Sequence, residues 1–145
     1  MEIYKSTYRF NASHNMTDDP AGKHPHTFLL TVLMLVESQA DYGTYAKIEK
    51  ELEEHTEHLQ GIYVNYLDFF DDKKATVENF ALYFYEYVKG LIVSPGVRLL
   101  EIELGDSPLN KVSVGDAAMV GSMNMYIPKK KIEKYFEIIG NRKCS

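Results

Sequence analysis

The sequence predicts an α+β domain, and three segments carry that prediction. Residues 2–14 alternate between apolar and polar side chains, which is typical of a strand with one buried face. Residues 44–59 place apolar side chains three and four positions apart, which is typical of an amphipathic helix. Residues 97–104 alternate again. A chain that passes from strands to helices and back to strands is expected to pack its helices on one sheet.

The first two strands are predicted to flank a loop at residues 15–23, which is rich in Asn, Asp, Pro and Gly. His14 ends the first strand on its apolar face. The second strand, over residues 26–37, is apolar on both faces and therefore needs a cover on each. We expect helices to cover one face, and another subunit or sheet to cover the other.

The remaining elements follow in the same way. Thr44 is a suitable N-cap for the first helix, and Thr76 for a second helix with an apolar face from Val77 to Leu91. After the strand at 97–104, "GDSPLN" is predicted to be a turn, "KVSV" a fourth strand, and residues 129–139 a C-terminal helix. The predicted order is β-β-α-α-β-β: an antiparallel four-stranded sheet with two helices on one face, plus a C-terminal helix.

Composition narrows the class of protein. The chain has 145 residues, of which 45% are apolar, and this fits one folded domain over residues 1–145. A net charge of −5 makes nucleic acid and anionic membranes poor partners. No apolar run is long enough to span a bilayer, and the first residues lack the pattern of a signal peptide. Cys144 is the single cysteine, so no internal disulfide is possible. We expect a cytoplasmic protein.

Three histidines form a candidate metal site. His24 and His26 lie two residues apart at the start of a strand, so they point to the same side. His14 ends the preceding strand, and a hairpin would bring all three rings together. Three histidines with an open fourth position are typical of catalytic zinc. The spacing alone leaves open that the His-x-His pair binds no metal.

The motifs around these histidines resemble those of a known family. "FNASH", "KHPH", "TVEN" and "VRLLEIEL" are similar to the motifs of the 6-pyruvoyl-tetrahydropterin synthase / 6-carboxytetrahydropterin synthase family, over about residues 2–115. Residues 116–145 do not resemble the family core and are predicted to be an extension. The resemblance implies a tunnelling fold, a Zn²⁺ cofactor, a pterin substrate, and homo-oligomers with active sites between subunits. It also implies a role in tetrahydropterin or queuosine biosynthesis.

The resemblance assigns roles residue by residue. It implies that His14, His24 and His26 are the zinc ligands, that Thr76 and Glu78 help to hold the pterin, and that Glu103 is the pterin-anchoring carboxylate, with Glu101 as the second choice. A carboxylate can accept two N–H hydrogen bonds from the edge of a pterin. Read without the resemblance, Thr76 and Glu78 are a helix cap and a first-turn acid, and Glu103 is a solvated strand residue.

Two departures from the family pattern concern proton transfer. Pro20 occupies the position of the family's catalytic cysteine, and proline cannot replace a thiolate. Asp19 or Asp18 offers a carboxylate base nearby, although loop aspartates are usually turn formers. The family's Asp-His pair falls on residues 60–61, Gln-Gly, in an ungapped alignment.

A shift of three residues supplies Glu57 and His58 in place of that pair, and His58 is suited to acid–base catalysis near neutral pH. The alternative is that both residues are the polar flank of a helix.

Two functions therefore remain open from the sequence. The first is a zinc-dependent pterin-modifying lyase that acts on dihydroneopterin triphosphate or a related pterin, with a rearranged acid–base set. The second is a divergent family member that binds zinc and a pterin without the standard synthase activity. A purely structural zinc domain is disfavoured by the open ligand position.

Overall fold

The computed structural model describes residues 1–115, and every structural statement below concerns that part of the chain. Its main elements are two strands, two helices and two further strands. They are β1 (Glu2–His14), β2 (His24–Val36), α1 (Tyr42–His58), α2 (Val77–Leu91), β3 (Val97–Gly105) and β4 (Lys111–Gly115). The predicted β-β-α-α-β-β order is confirmed. The C-terminal helix predicted at 129–139 lies outside the described residues.

The four strands form one sheet in the order β1-β2-β3-β4. β1 and β2 pair antiparallel over their whole length, from Glu2 opposite Val36 to His14 opposite His24. β3 pairs antiparallel with β2 only as far as Gly105, which lies opposite Leu29. The first five residues of β2 therefore have β1 as a neighbour but not β3, and the histidine end of the sheet is open on that side.

Even-numbered residues of β1 and β2 make the buried face, against which both helices pack. Its centre is aromatic: Phe10 stacks on Phe28 with ring centroids 5.4 Å apart, and both rings meet Phe80 of α2 edge-on. Phe84 lies 5.8 Å from Phe10 on the next turn of α2. Aromatic pairs in these geometries add to the hydrophobic stabilisation of the core. This cluster fixes the sheet against α2 directly below the histidine end.

The two helices differ at their first turns, since a side chain caps α2 but not α1. Thr76 caps α2, and its hydroxyl accepts a hydrogen bond from the Asn79 amide at 3.1 Å, as predicted. The prediction that Thr44 caps α1 is wrong, because the helix already begins at Tyr42 and Asp41 occupies the cap position. The Asp41 carboxylate accepts from the Ser38 hydroxyl at 2.8 Å instead of capping a helical amide. The short connection after β2 thus turns directly into α1.

The opposite face of the sheet remains partly apolar. Leu29 and Leu33 of β2 are half-buried there, whereas Leu35 is buried. The cover that we expected from another subunit stays a prediction. The single domain over residues 1–145 also stays a prediction, with a boundary between two units falling after Val114. No helix in the described part of the chain is long and apolar enough to cross a membrane.

Removal of the Phe84 ring tests the aromatic core. Phe84 is fully buried, so Phe84→Ala should lower the free energy of unfolding by about 3–5 kcal/mol. Tyr66 is 82% exposed, and Tyr66→Ala should change it by less than about 0.5 kcal/mol. Urea unfolding of both variants measures the difference. Equal losses in the two variants would contradict the assignment of the core.

Candidate metal and ligand site

The three predicted histidines converge at the open end of the β1–β2 pair. His14 lies directly opposite His24, and His26 lies opposite Ala12, so all three share the buried face. Their ring centroids are 4.4 Å apart for His14 and His24, 5.1 Å for His14 and His26, and 4.6 Å for His24 and His26. One ring nitrogen from each lies within 4.8 Å of the others. The hairpin thus produces the arrangement that the sequence predicted.

His14 is the most constrained of the three. Its ring is buried, and Nδ1 donates a hydrogen bond to the Ala75 carbonyl oxygen at 2.8 Å, so Nε2 carries the lone pair. Nε2 is buried without a hydrogen-bond partner among the described residues. Burial lowers the pKa of His14. A neutral imidazole with a fixed tautomer and an unpartnered nitrogen is the form that binds a metal ion.

His24 is oriented by the loop that precedes it. Its Nδ1 donates to the Gly22 carbonyl oxygen at 2.8 Å. Pro25, the next residue, lies where β2 lacks a β3 neighbour, so its missing N–H breaks no hydrogen bond to that strand. Hydrogen bonds from the remote ring nitrogen to carbonyl oxygens are typical of histidines that ligate metals. His14 and His24 both have this feature.

The loop between the strands is held by Asn15, which is 5% exposed. Its side-chain oxygen accepts from the Thr17 amide at 2.9 Å, and its side-chain nitrogen donates to the Asp19 carbonyl oxygen at 2.7 Å. Asn15 and Asn65 also exchange two hydrogen bonds between side chain and backbone, at 2.9 and 2.8 Å. Gly22 packs so closely that an added Cβ would lie within 3.0 Å of the Asn15 and Thr17 side chains. The loop is therefore a fixed support for His24.

His26 connects the histidines to a carboxylate that sequence reasoning missed. Oδ2 of Asp106 lies 3.8 Å from Nε2 of His26, and the Asp106 side chain is 15% exposed. Its second oxygen, Oδ1, is buried without a hydrogen-bond partner in the described part of the chain. A buried carboxylate oxygen without a donor is unfavourable unless a ligand supplies one. Asp106 follows β3 directly, within the "GDSPLN" segment that the sequence predicts only as a turn.

The residues present fit a zinc ion. The donors are three imidazoles, the preferred nitrogen ligands of Zn²⁺, and two of them are fixed through carbonyl oxygens. His14 and His26 both meet the ring of Phe28 edge-on, with centroids 5.5 and 5.9 Å away. The Phe28 ring thus lies between these histidines and the aromatic core. Asp106 places a negative charge beside the site.

Of the predicted pterin-binding residues, Thr76 and Glu78 lie at the start of α2. Ala75, whose carbonyl oxygen accepts from His14, directly precedes Thr76, so this helix end adjoins the metal site. The Thr76 hydroxyl caps the helix, and Glu78 is exposed.

Glu103 is on the other face of the sheet. It lies opposite Thr31, which has the opposite parity to His24 and His26 along β2. The fallback, Glu101, lies opposite Leu33 and shares that face. Oε1 of Glu103 is 3.8 Å from Nζ of Lys111. Within this chain, neither glutamate joins the histidines.

The predicted proton-transfer residues are likewise not grouped with the histidines. Asp19 caps a short 3₁₀ turn, Pro20–Gly22, where its carboxylate accepts from the Ala21 amide at 2.9 Å. His58 is exposed in the last turn of α1, and its Nδ1 donates to the Glu54 carbonyl oxygen at 2.7 Å. Glu57 is also exposed and borders a groove between α1 and β1. These positions match the plain structural alternatives that the sequence left open.

Comparison with known proteins identifies the family. The model of the 6-pyruvoyl tetrahydropterin synthase family matches residues 2–116, so the chain belongs to this family. No curated protein matches the sequence directly.

Solved structures confirm the fold. The structure of Caenorhabditis elegans 6-pyruvoyl tetrahydropterin synthase superposes with a TM-score of 0.66 at 18% identity, covering 80% of this chain and 96% of that one. The Plasmodium vivax enzyme gives a TM-score of 0.57 at 13% identity, covering 80% and 99%. The Plasmodium falciparum enzyme gives 0.54 at 13% identity, covering 79% and 98%. Because the sequence identities are low, this structural similarity supports the fold alone. It confirms the predicted antiparallel sheet with two helices.

Substitution of Gly22 tests the loop as a support for His24. Gly22→Ala places a methyl group against the Asn15 and Thr17 side chains, which must move and shift the carbonyl oxygen that orients His24. We expect the dissociation constant for zinc to rise about tenfold or more. Gly43→Ala is the matched control, because an added Cβ there meets nothing within 4 Å. Competition with a chromogenic chelator measures both variants, and equal affinities would contradict the role of the loop.

Proposed function

We propose that the protein is a zinc-dependent pterin-modifying enzyme that acts on dihydroneopterin triphosphate or a related pterin. The observation that carries this proposal is the convergence of His14, His24 and His26, with the buried Nε2 of His14 left without a partner among the described residues. Membership of the family supports the pterin substrate and a lyase-type reaction. When bound, zinc would act as a Lewis acid and stabilise negative charge on an oxygen of the substrate side chain.

Asp106 is the better candidate for the pterin-anchoring carboxylate than Glu103. The resemblance requires a carboxylate that accepts N–H groups from the pterin, and Oδ1 of Asp106 is buried without such a donor. Asp106 lies beside His26, whereas Glu103 lies on the opposite face near Lys111. A pterin anchored at Asp106 would extend its side chain toward the three histidines. Glu103 keeps a role only if it belongs to the site of another subunit.

We propose that proton transfer uses a group other than a cysteine thiolate, because Pro20 occupies the position of the family's cysteine. The single cysteine, Cys144, is far from Pro20 in sequence and lies outside the described residues. Two solved structures of the Plasmodium vivax enzyme carry replacements of a glutamate described as a catalytic residue. This supports the proposal that a carboxylate takes part in catalysis here. Asp19 is bound within its own loop, so an exposed acid or His58 is the remaining choice.

We also propose a homo-oligomer with active sites between subunits. Glu57, His58 and Glu78 are exposed, so each is available to the site of a neighbouring chain. The half-buried Leu29 and Leu33 on the outer face of the sheet would gain a cover in such an assembly. Cytoplasmic localisation stays a prediction from the sequence.

One observation favours a second function, in which zinc and a pterin bind without turnover. The group that would replace the thiol, Asp19, is engaged as a helix cap, and His58 is bonded to its own helix. A site that has all its metal ligands but no side chain available as a general base would bind its ligand without converting it.

Zinc content and turnover test the proposal and separate the two functions. The protein should carry one zinc ion per chain, and His24→Ala should reduce this to near zero, because one of three ligands is lost. His58→Ala is the control and should keep the zinc. Incubation of the zinc-loaded protein with dihydroneopterin triphosphate should release triphosphate. Pterin binding without release would favour the second function, and unchanged zinc in His24→Ala would exclude the metal site.

A pair of carboxylate variants tests the anchor. Asp106→Asn should weaken pterin binding about tenfold or more, since a carboxylate that accepts two N–H groups is replaced by an amide. Glu103→Gln should leave the affinity unchanged. Fluorescence titration measures binding, and zinc content should be the same in both variants. A larger loss in Glu103→Gln than in Asp106→Asn would reverse the assignment.

A further inference from the structure

The connection between α1 and α2 runs along the outer edge of β1 before it reaches α2. Within residues 1–115, β1 is an edge strand, since β2 is the only strand of the sheet next to it. The backbone N–H and C=O groups of every second residue of β1 therefore point away from the sheet and need other partners. At the histidine end of β1 these partners come from residues 60–65, which we call the edge segment.

The first contacts of the edge segment are made by its first three residues. The Asn11 amide donates to the side-chain oxygen of Gln60 at 2.8 Å, and the Asn11 carbonyl oxygen accepts from the Gly61 amide at 2.7 Å. Two residues further along β1, the Ser13 amide donates to the Ile62 carbonyl oxygen at 3.0 Å. The edge segment thus follows β1 toward His14 as a further strand would.

The last contacts are made by Asn65, whose side chain accepts from the Asn15 amide and donates to the Asn15 carbonyl oxygen. His14 lies between Ser13 and Asn15, so the backbone on both sides of this histidine is bonded to the edge segment. On the other edge of β1, His24 of β2 lies opposite His14. Chain ends of secondary-structure elements fray when they lack such bonds. The end of β1 that carries His14 is therefore held on both edges.

A glycine allows the chain to take this path. Gly61 has a φ of +75°, in the left-handed region that glycine adopts without strain, and it lies just after α1 ends at His58. The turn brings the chain from α1 onto the edge of β1. Gln60 and Gly61 are the residues that align without gaps with the family's Asp-His pair, and both make hydrogen bonds to β1 here.

The same connection also fixes the ring of His14. The carbonyl oxygen of Ala75, at the other end of the connection, accepts from Nδ1 of His14 at 2.8 Å. Residues 60–65 contain no histidine, cysteine, aspartate or glutamate, so they supply none of the usual metal ligands. The contribution of the edge segment to the metal site is therefore one of position.

We propose that Gln60 and Asn65 are positioning residues for the metal site, because the edge segment holds His14 in place and the affinity for zinc depends on it. A ligand that is ordered before binding loses less freedom when the metal binds. The inference rests on the proposed function for the zinc ion, whereas the position of His14 requires no metal.

Four variants test the proposal in the full chain. Gln60→Ala should raise the dissociation constant for zinc about threefold, since one hydrogen bond is lost, and Asn65→Ala about tenfold, since two are lost. Gln60→Glu keeps an acceptor for the Asn11 amide and should bind zinc as the unmodified protein does. Ser38→Ala is the matched control, because it removes one hydrogen bond, to Asp41, at the opposite end of the sheet. Competition with a chromogenic chelator measures each constant, and the thermal midpoint of each variant confirms folding.

A second measurement needs no metal. Exchange of the Nδ1 proton of His14 with solvent, followed by NMR after removal of zinc, should be about tenfold faster in Asn65→Ala and unchanged in Ser38→Ala. The proposal is wrong if Asn65→Ala leaves both zinc binding and this exchange unchanged, if Ser38→Ala weakens zinc binding as much as Gln60→Ala, or if Gln60→Glu behaves like Gln60→Ala. If the unmodified protein binds no zinc, the proposed function fails. Faster exchange in Asn65→Ala would then still support the positioning of His14, and unchanged exchange would reject it.

Discussion

The candidate site depends on the register of one strand pair. His14 lies opposite His24 because β1 and β2 pair without interruption from Glu2 and Val36 onward. A slip of one residue would move every side chain of a strand to the other face of the sheet. The buried face prevents that slip, since Phe10 and Phe28 must both reach the core below α2. The hydrophobic core thus determines the position of the histidines.

The supports of the histidines come from outside the strand pair. Ala75, at the start of α2, accepts from His14, and Gly22 accepts from His24. The hydrogen bonds of Asn15 fix the loop that carries Gly22, and Asn65 ties that loop to the segment after α1. These bonds set the ring tautomers before any metal arrives, which reduces the ordering that binding must provide. Zinc, if bound, meets a largely formed site.

Acidic and basic side chains lie in different places around the candidate site. The partly buried Asp106 carboxylate offers acceptors beside His26, and its Oδ1 has no hydrogen-bond partner among the described residues. Arg9 lines the far end of a cavity that begins at His26 and Asp106, and no hydrogen bond or ion pair engages its guanidinium within residues 1–115. The pairing of Lys111 with Glu103 moderates the positive charge at the far end.

The sequence by itself determined the elements, the parity of the strands and the three histidines, because these follow from local periodicity and from neighbours two residues apart. It also identified the Thr76 cap, which is a contact within one helical turn. Only the tertiary structure decided which carboxylate joins the histidines. Glu103 and Asp106 are three residues apart, and the sheet register places Glu103 on the far face while the chain turns Asp106 back toward His26. The same holds for Asp19, whose carboxylate points into its own loop. Such choices depend on contacts between segments far apart in sequence, and local patterns carry no information about them.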